Sequence, residues 1–161
     1  MEKGKVVIIY GEGKGKTTSA IGKGIKYLGD GKSVNMIQFL KGKREEGLMD
    51  VLKKLEPDMK TFRFEKHTVK FSELSDSDKE EELVNIRNGI SFARKVISTG
   101  SCDLLILDEV LGLVDRDIIE ESVLMDLIKG RHEEMNILLT GRVLSEGLRT
   151  LADEIYRIDV E

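Results

Sequence analysis

Val6-Val7-Ile8-Ile9-Tyr10-Gly11-Glu12-Gly13-Lys14-Gly15-Lys16-Thr17-Thr18 opens the chain with an apolar run of strand length that breaks into a glycine–lysine loop and then into a helix-forming segment. Closely spaced glycines let successive backbone N–H groups converge on anionic oxygens, and the helix that follows presents the positive end of its dipole. Lys16 adds a point charge, and the Thr17 hydroxyl is a ligand for Mg²⁺, so the stretch reads as a cradle for a nucleoside triphosphate. The loop is one spacer shorter than G-x-x-x-x-G-K-[ST], which would require glycine at Tyr10. A shortened loop still surrounds a phosphate, but it need not hold the nucleotide in the pose used for γ-phosphoryl transfer, which leaves open the bond that is broken. A glycine-rich turn with solvated lysines is the competing reading; the strand before the loop and the helix after it weigh against that.

Composition narrows the classes. With 161 residues, 40% of them hydrophobic, the chain is expected to form one nucleotide-binding domain over residues 1–161 with a substantial core. Its 26 Lys+Arg against 30 Asp+Glu, a net charge of −4 with no separated basic cluster, disfavour nucleic acid as the main partner. Cys102 is the lone cysteine, which excludes an intramolecular disulfide and reads as a small strand-edge residue. Neither a signal-peptide-like segment nor a long apolar span is present, so a cytoplasmic enzyme with no membrane partner is expected.

Apolar runs of strand length alternate with helical patterns along the chain, the pattern of a parallel sheet covered on both faces by helices. The expected strands are Lys5–Tyr10, Ser33–Phe39, Thr61–Glu65, Asp103–Asp108, Asn136–Thr140 and Glu154–Ile158. A first helix is expected over Thr18–Leu28, ended by Gly29-Asp30-Gly31, and Leu48, Val51, Leu52 and Leu55 mark a short amphipathic one. The clearest helix follows Ser75-Asp76-Ser77-Asp78, carries Leu83, Ile86, Ile90, Ala93 and Ile97 on one face, and closes at Gly100. A later helix is expected to carry Ile118, Ile119, Val123, Leu127 and Ile128. Lys41–Gly47 and Lys66–Glu73 leave the carboxyl ends of strands, where they either line the site of a second substrate or form surface loops.

A second chemical signal is Asp103-Leu104-Leu105-Ile106-Leu107-Asp108-Glu109, an apolar strand ending in two carboxylates in the form of a Walker B segment. Asp108 is expected to accept a hydrogen bond from Thr17 or a metal-bound water, and Glu109 to reach the metal; a simple helix cap is the alternative. Arg142, following Asn136-Ile137-Leu138-Leu139-Thr140-Gly141, either grips phosphate in bidentate fashion or forms a surface salt bridge. His67 and His132 stand without metal-ligand spacing and read as solvated or packing residues.

Taken together, the loop from Gly11 to Thr18, Gln38-Phe39-Leu40-Lys41-Gly42, Leu107-Asp108-Glu109 and Thr140-Gly141-Arg142 resemble the ATP:corrinoid adenosyltransferases of cobalamin biosynthesis and salvage, in order and spacing over nearly the whole chain. The resemblance implies a three-layer P-loop NTPase-like (RecA-like) α/β fold with a mostly parallel sheet of about six strands, commonly in a homodimer. It implies that the 5′-deoxyadenosyl group of ATP moves to Co(I) of a corrinoid with release of triphosphate, and that an electron donor such as a flavoprotein keeps the corrinoid reduced. By resemblance, Thr17 and Glu109 with Asp108 would hold Mg²⁺. Lys16 and the amides of Gly11, Glu12, Gly13, Lys14, Gly15, Thr17 and Thr18 would hold the phosphates, assisted by Arg142, and Lys41 and Phe71 would lie near the nucleoside and corrinoid. Glu12 stands where the family usually has Asn, and Ser72 where many members carry the Trp that follows a corrinoid-shielding Phe. A P-loop ATPase or phosphotransferase, and a nucleotide-binding regulatory relative without corrinoid activity, are the alternatives.

Overall fold

The computed structural model describes residues 3–40 and 46–161. Six strands form one all-parallel sheet: β1 (Val6–Tyr10), β2 (Val34–Gln38), β3 (Met59–Arg63), β4 (Leu104–Asp108), β5 (Asn136–Gly141) and β6 (Glu154–Arg157), in the spatial order β3-β2-β4-β5-β1-β6. The helices between them are α1 (Lys16–Gly29), α2 (Glu46–Lys54), α3 (Asp76–Thr99), α4 (Val110–Asp115), α5 (Glu121–Lys129) and α6 (Glu146–Leu151). This is the three-layer P-loop NTPase-like α/β fold.

Alternation along each strand splits the core in two. Ile8, Ile37, Leu105 and Leu107 face one layer, where they meet Ile86, Ile90, Ala93 and Ile97 of α3 and the apolar residues of α4, α5 and α6. Ile9, Met36, Leu104, Ile106 and Leu138 face the other, against Ala20 and Ile21 of α1 and Leu52 of α2. β4 is buried at every residue, as a central strand covered on both faces must be, and its sequence is correspondingly apolar throughout until Asp108. Because all strands are parallel, the loops after β1, β2, β3, β4 and β5 gather at one edge of the sheet.

The elements differ in places from those expected. β3 begins at Met59, two residues early: Met59 is fully buried against the α1 side, and this pins the strand so that Arg63, not Glu65, stands at its carboxyl end. The apolar run after Glu109 forms the short helix α4, and Ile118 and Ile119 lie in the turn beyond it, their amides donating to the Leu113 carbonyl at 2.8 and 3.0 Å, so only Val123, Leu127 and Ile128 belong to α5. On α3 Ile86, Ile90, Ala93 and Ile97 of the expected stripe are buried and Gly100 is in the left-handed conformation at its end, but Leu83 is only half-buried and Glu82 is buried in the turn beside it.

Candidate functional site

The phosphate loop joins β1 to α1. Gly11 has φ +124°, and a Cβ there would fall 2.2 Å from the carbonyl oxygen of Ile158, so only glycine lets the chain turn so close to the end of β6. Gly15, at φ +104°, is the N-cap of α1, and Lys16 is already in the helix, two residues earlier than expected. The Gly13 amide donates to Ile158 O at 2.8 Å, and Lys16 Nζ donates to Gly13 O at 2.7 Å, folding the ammonium group into the loop. Lys14, Gly15, Lys16, Thr17 and Thr18 line a cleft of about 360 Å³ shared with Gln38, Leu48, Met49, Arg63 and Glu109. The positive end of α1 and two lysines thus open onto one space, a setting for an anion.

At the floor of this edge Asp108 is fully buried. Its carboxylate accepts from Thr17 Oγ1 at 3.0 Å on each oxygen, from Thr140 Oγ1 at 2.7 Å and from Gln38 Nε2 at 3.3 Å, while Arg63 Nη2 donates to Gln38 Oε1 at 3.4 Å. Side chains from the loop end, β2, β3, β4 and β5 are therefore joined in one network. The Thr140 hydroxyl also accepts the Glu109 amide at 2.8 Å, which holds Glu109 at φ 63° at the start of α4 and sets its carboxylate in the cleft wall. A non-glycine residue in that conformation costs on the order of 1–3 kcal/mol, and here the backbone is turned just where the second carboxylate must leave the strand.

This arrangement fits a hard divalent cation. Thr17 spends its proton on Asp108, which leaves hydroxyl lone pairs for an ion, and Glu109 supplies an anionic oxygen in the same cleft. Asp108, enclosed and surrounded by donors, is placed to orient Thr17 and not to reach into the cleft itself.

The remaining expected residues are scattered. Arg142 pairs with Glu12 at 2.5 Å, with both side chains mostly exposed, so the acid at the loop meets a guanidinium beside it. Lys41 lies outside the described residues. Phe71, in a 3₁₀ turn at Phe71–Glu73, packs against the core beside α3 and does not line the phosphate-loop cleft. Sequence reasoning assigned no role to Gln38, Arg63 or Thr140, although a polar residue ending an apolar strand beside the Walker B strand was a signal for Gln38 and Thr140. It also missed two carboxylates, Glu82, which is buried, and Glu65, which is partly so. Glu82 accepts from the amides of Lys66 and His67 at 3.0 and 3.3 Å and from Asn85 Nδ2 at 2.6 Å. Glu65 accepts the Leu40 amide at 2.8 Å and holds that residue at φ 55°; burial, with Glu82 nearby, pushes the Glu65 carboxyl up to about 7.

The family model for ATP:corrinoid adenosyltransferase BtuR/CobO/CobP matches residues 2–160. The chain belongs to the corrinoid adenosyltransferase family. Among curated relatives it is 26% identical over 98% of its length to the corrinoid adenosyltransferase of Escherichia coli K12, covering 77% of that protein. It is 24% identical over 98% of its length to corrinoid adenosyltransferase CobA of Salmonella typhimurium, again covering 77%. The fold is shared with the KaiC-like protein PH0186 of Pyrococcus horikoshii, with a TM-score of 0.61 at 14% identity over 100% of this chain and 74% of that one. It is likewise shared with the flagellar accessory protein FlaH of Methanocaldococcus jannaschii, with a TM-score of 0.61 at 17% identity over 98% and 72%. Family membership makes this adenosyltransferase-family chain a transferase whose substrates are ATP and a corrinoid. Among the described residues, no helix is long and apolar enough to cross a membrane.

Proposed function

We propose that the protein transfers the 5′-deoxyadenosyl group of MgATP to the Co(I) centre of a reduced corrinoid and releases triphosphate. In this reaction cobalt supplies the electron pair, the new Co–C5′ bond replaces the C5′–O5′ bond, and the departing electrons stay on the triphosphate. The protein then needs to align carbon 5′ with cobalt and stabilise a polyanionic leaving group. The observation that carries the reading is the convergence of Lys16, the N-terminus of α1, Thr17 and Glu109 on one cleft, the first two suited to phosphate charge and the last two to its cation. Thr17 and Glu109 would hold Mg²⁺, with Asp108 orienting Thr17, and the ion would neutralise charge on the leaving group. Arg142 joins the phosphates once it leaves Glu12. Met49 and Arg63 also line a groove of about 500 Å³ between α2 and β3, the space into which the nucleoside extends. Lys41 and Phe71 act on the nucleoside and corrinoid side. The working enzyme is a cytoplasmic homodimer supplied with reduced corrinoid by an electron donor such as a flavoprotein.

Glu109 favours one competing reading. A carboxylate beside bound phosphates is also placed to orient water for hydrolysis, which would yield ADP. Anaerobic incubation with MgATP and chemically reduced cobalamin separates the two: alkylated corrinoid with inorganic triphosphate supports the transferase, and ADP with an unchanged corrinoid spectrum overturns it. Glu109→Gln is expected to lower kcat by about 100-fold while changing MgATP affinity much less; equal losses in both would place Glu109 in ground-state binding alone.

A further inference from the structure

We propose that His67, Asp78 and Glu81 form a second cation site, outside the phosphate-loop cleft, for a divalent transition metal of the Zn²⁺ class. The three side chains come from two elements that Glu82 ties together. Glu82 is only 2% exposed, and its carboxylate takes the amides of Lys66 and His67, so the loop after β3 is held against α3 at the residue that carries the imidazole. On α3 the Ser75 hydroxyl caps the helix through the Asp78 amide at 3.2 Å, and the three-residue spacing from Asp78 to Glu81 places both carboxylates on the face toward His67.

One ligand atom from each of the three residues lies within 4.8 Å of the other two. His67 Nε2 is shut off from solvent and has no hydrogen-bond partner among the described residues, a cost a buried ring nitrogen does not ordinarily bear. Glu81 Oε2 stands 3.8 Å from it. That is too long for a hydrogen bond, yet near the roughly 3.4 Å that separates two atoms each bound about 2.1 Å from a common tetrahedral ion. One imidazole with two carboxylates selects borderline ions such as Zn²⁺ or Fe²⁺ over Mg²⁺. None of the three residues lines the phosphate-loop cleft, so the site does not depend on the proposed reaction. An ion here cross-links the loop carrying Phe71 to the first turns of α3 and fixes the path of that loop.

The test is calorimetric titration of the metal-stripped full chain with Zn²⁺, without nucleotide and with excess Mg²⁺. One Zn²⁺ per chain is expected. Binding should vanish in His67→Gln, weaken at least about tenfold in Glu81→Gln, and persist in Glu109→Gln. Glu81 is 60% exposed, so its variant reports on the site without endangering the fold. The absence of saturable Zn²⁺ binding overturns the proposal, as does binding that survives both His67→Gln and Glu81→Gln. Binding lost only in Glu109→Gln also overturns it, because the ion then sits at the phosphate loop; loss in the His67 and Glu81 variants leaves the proposed transfer reaction a separate question.

Discussion

Buried carboxylates anchor both sides of the carboxyl edge of the sheet, but they hold different things. Beside the phosphate loop, Asp108 gathers side chains: the hydroxyls of Thr17 and Thr140 and the amide of Gln38. On the β3 side, Glu82 and Glu65 gather mostly main chain, the amides of Lys66 and His67 and of Leu40, with Asn85 Nδ2 as a side-chain donor to Glu82. An acceptor for side-chain donors sets the position of groups that meet a ligand. An acceptor for backbone amides instead sets the course of a loop and leaves its side chains to whatever the loop presents. The first region is thus a set of side chains fixed around one cleft, and the second is a scaffold whose chemistry depends on how two loops are pinned.

The difference can be broken at either side, and the largest effect is expected at the phosphate loop. Lys16→Ala should weaken MgATP binding by about 100-fold or more in calorimetry, with no change in hydrogen-exchange protection of the Lys66 and His67 amides. Retention of full MgATP affinity would falsify the placement of the phosphates. Glu82→Ala should act in the opposite sense. It strips the acceptor from two backbone amides and from Asn85, so a loss of about 2–3 kcal/mol in chemical denaturation is expected, with those amides exchanging faster and MgATP affinity little altered. Unchanged exchange at Lys66 and His67 would mean that the loop keeps its course without Glu82.

Glu65 sharpens the comparison through pH. Its folded carboxyl titrates near 7, above the ordinary value of 4.5, because burial disfavours the charged form. A raised pKa means that the native state binds the proton more tightly than the unfolded chain. The resulting stabilisation is complete below about pH 4.5 and fades as pH rises through 7. Glu65→Gln keeps an acceptor for Leu40 and cannot ionise, so it should match the parent at pH 4 and exceed it by about 3 kcal/mol at pH 8. A stability difference that does not vary with pH would show that Glu65 is not desolvated. The smallest effect is expected from Glu12→Gln. The Glu12–Arg142 pair is exposed, so the denaturation midpoint should not move, while MgATP affinity rises a few-fold as Arg142 is released to the phosphates. A fall in affinity would mean that Glu12 itself serves the nucleotide or its cation.

The two regions also differed in how far they could be read from the chain. The phosphate side is written in contiguous runs: Gly11 to Thr18 after one strand, Asp108-Glu109 after another, Thr140-Gly141 after a third. In a parallel sheet each strand-end residue reaches the same edge, so local patterns were enough to predict that Thr17 and Asp108 would meet. The β3 side offered no such runs. Glu82 sits in Glu80-Glu81-Glu82, three identical residues of which one is buried, and only the angle of α3 against the loop after β3 selects it. His67 looked isolated because its neighbours Asp78 and Glu81 are eleven and fourteen positions away and are brought back by that helix. Helix α4 was missed for another reason: Val110-Leu111-Gly112-Leu113-Val114 is apolar throughout, so a buried helical turn carries no periodicity to distinguish it from a strand.

Sequence alone therefore determined the parallel α/β class, the strand count and the meeting of the glycine–lysine loop with Asp108 at one edge, because strand-end motifs and hydrophobic periodicity act over a few residues and the sheet carries them there. Tertiary structure decided which carboxylates are desolvated, that Glu12 meets Arg142, that Gln38 and Arg63 join the Asp108 network, and that His67 faces α3. These outcomes depend on distances between elements remote in the chain, and the free energy of a charge is set by what surrounds it after folding, not by its neighbours in sequence.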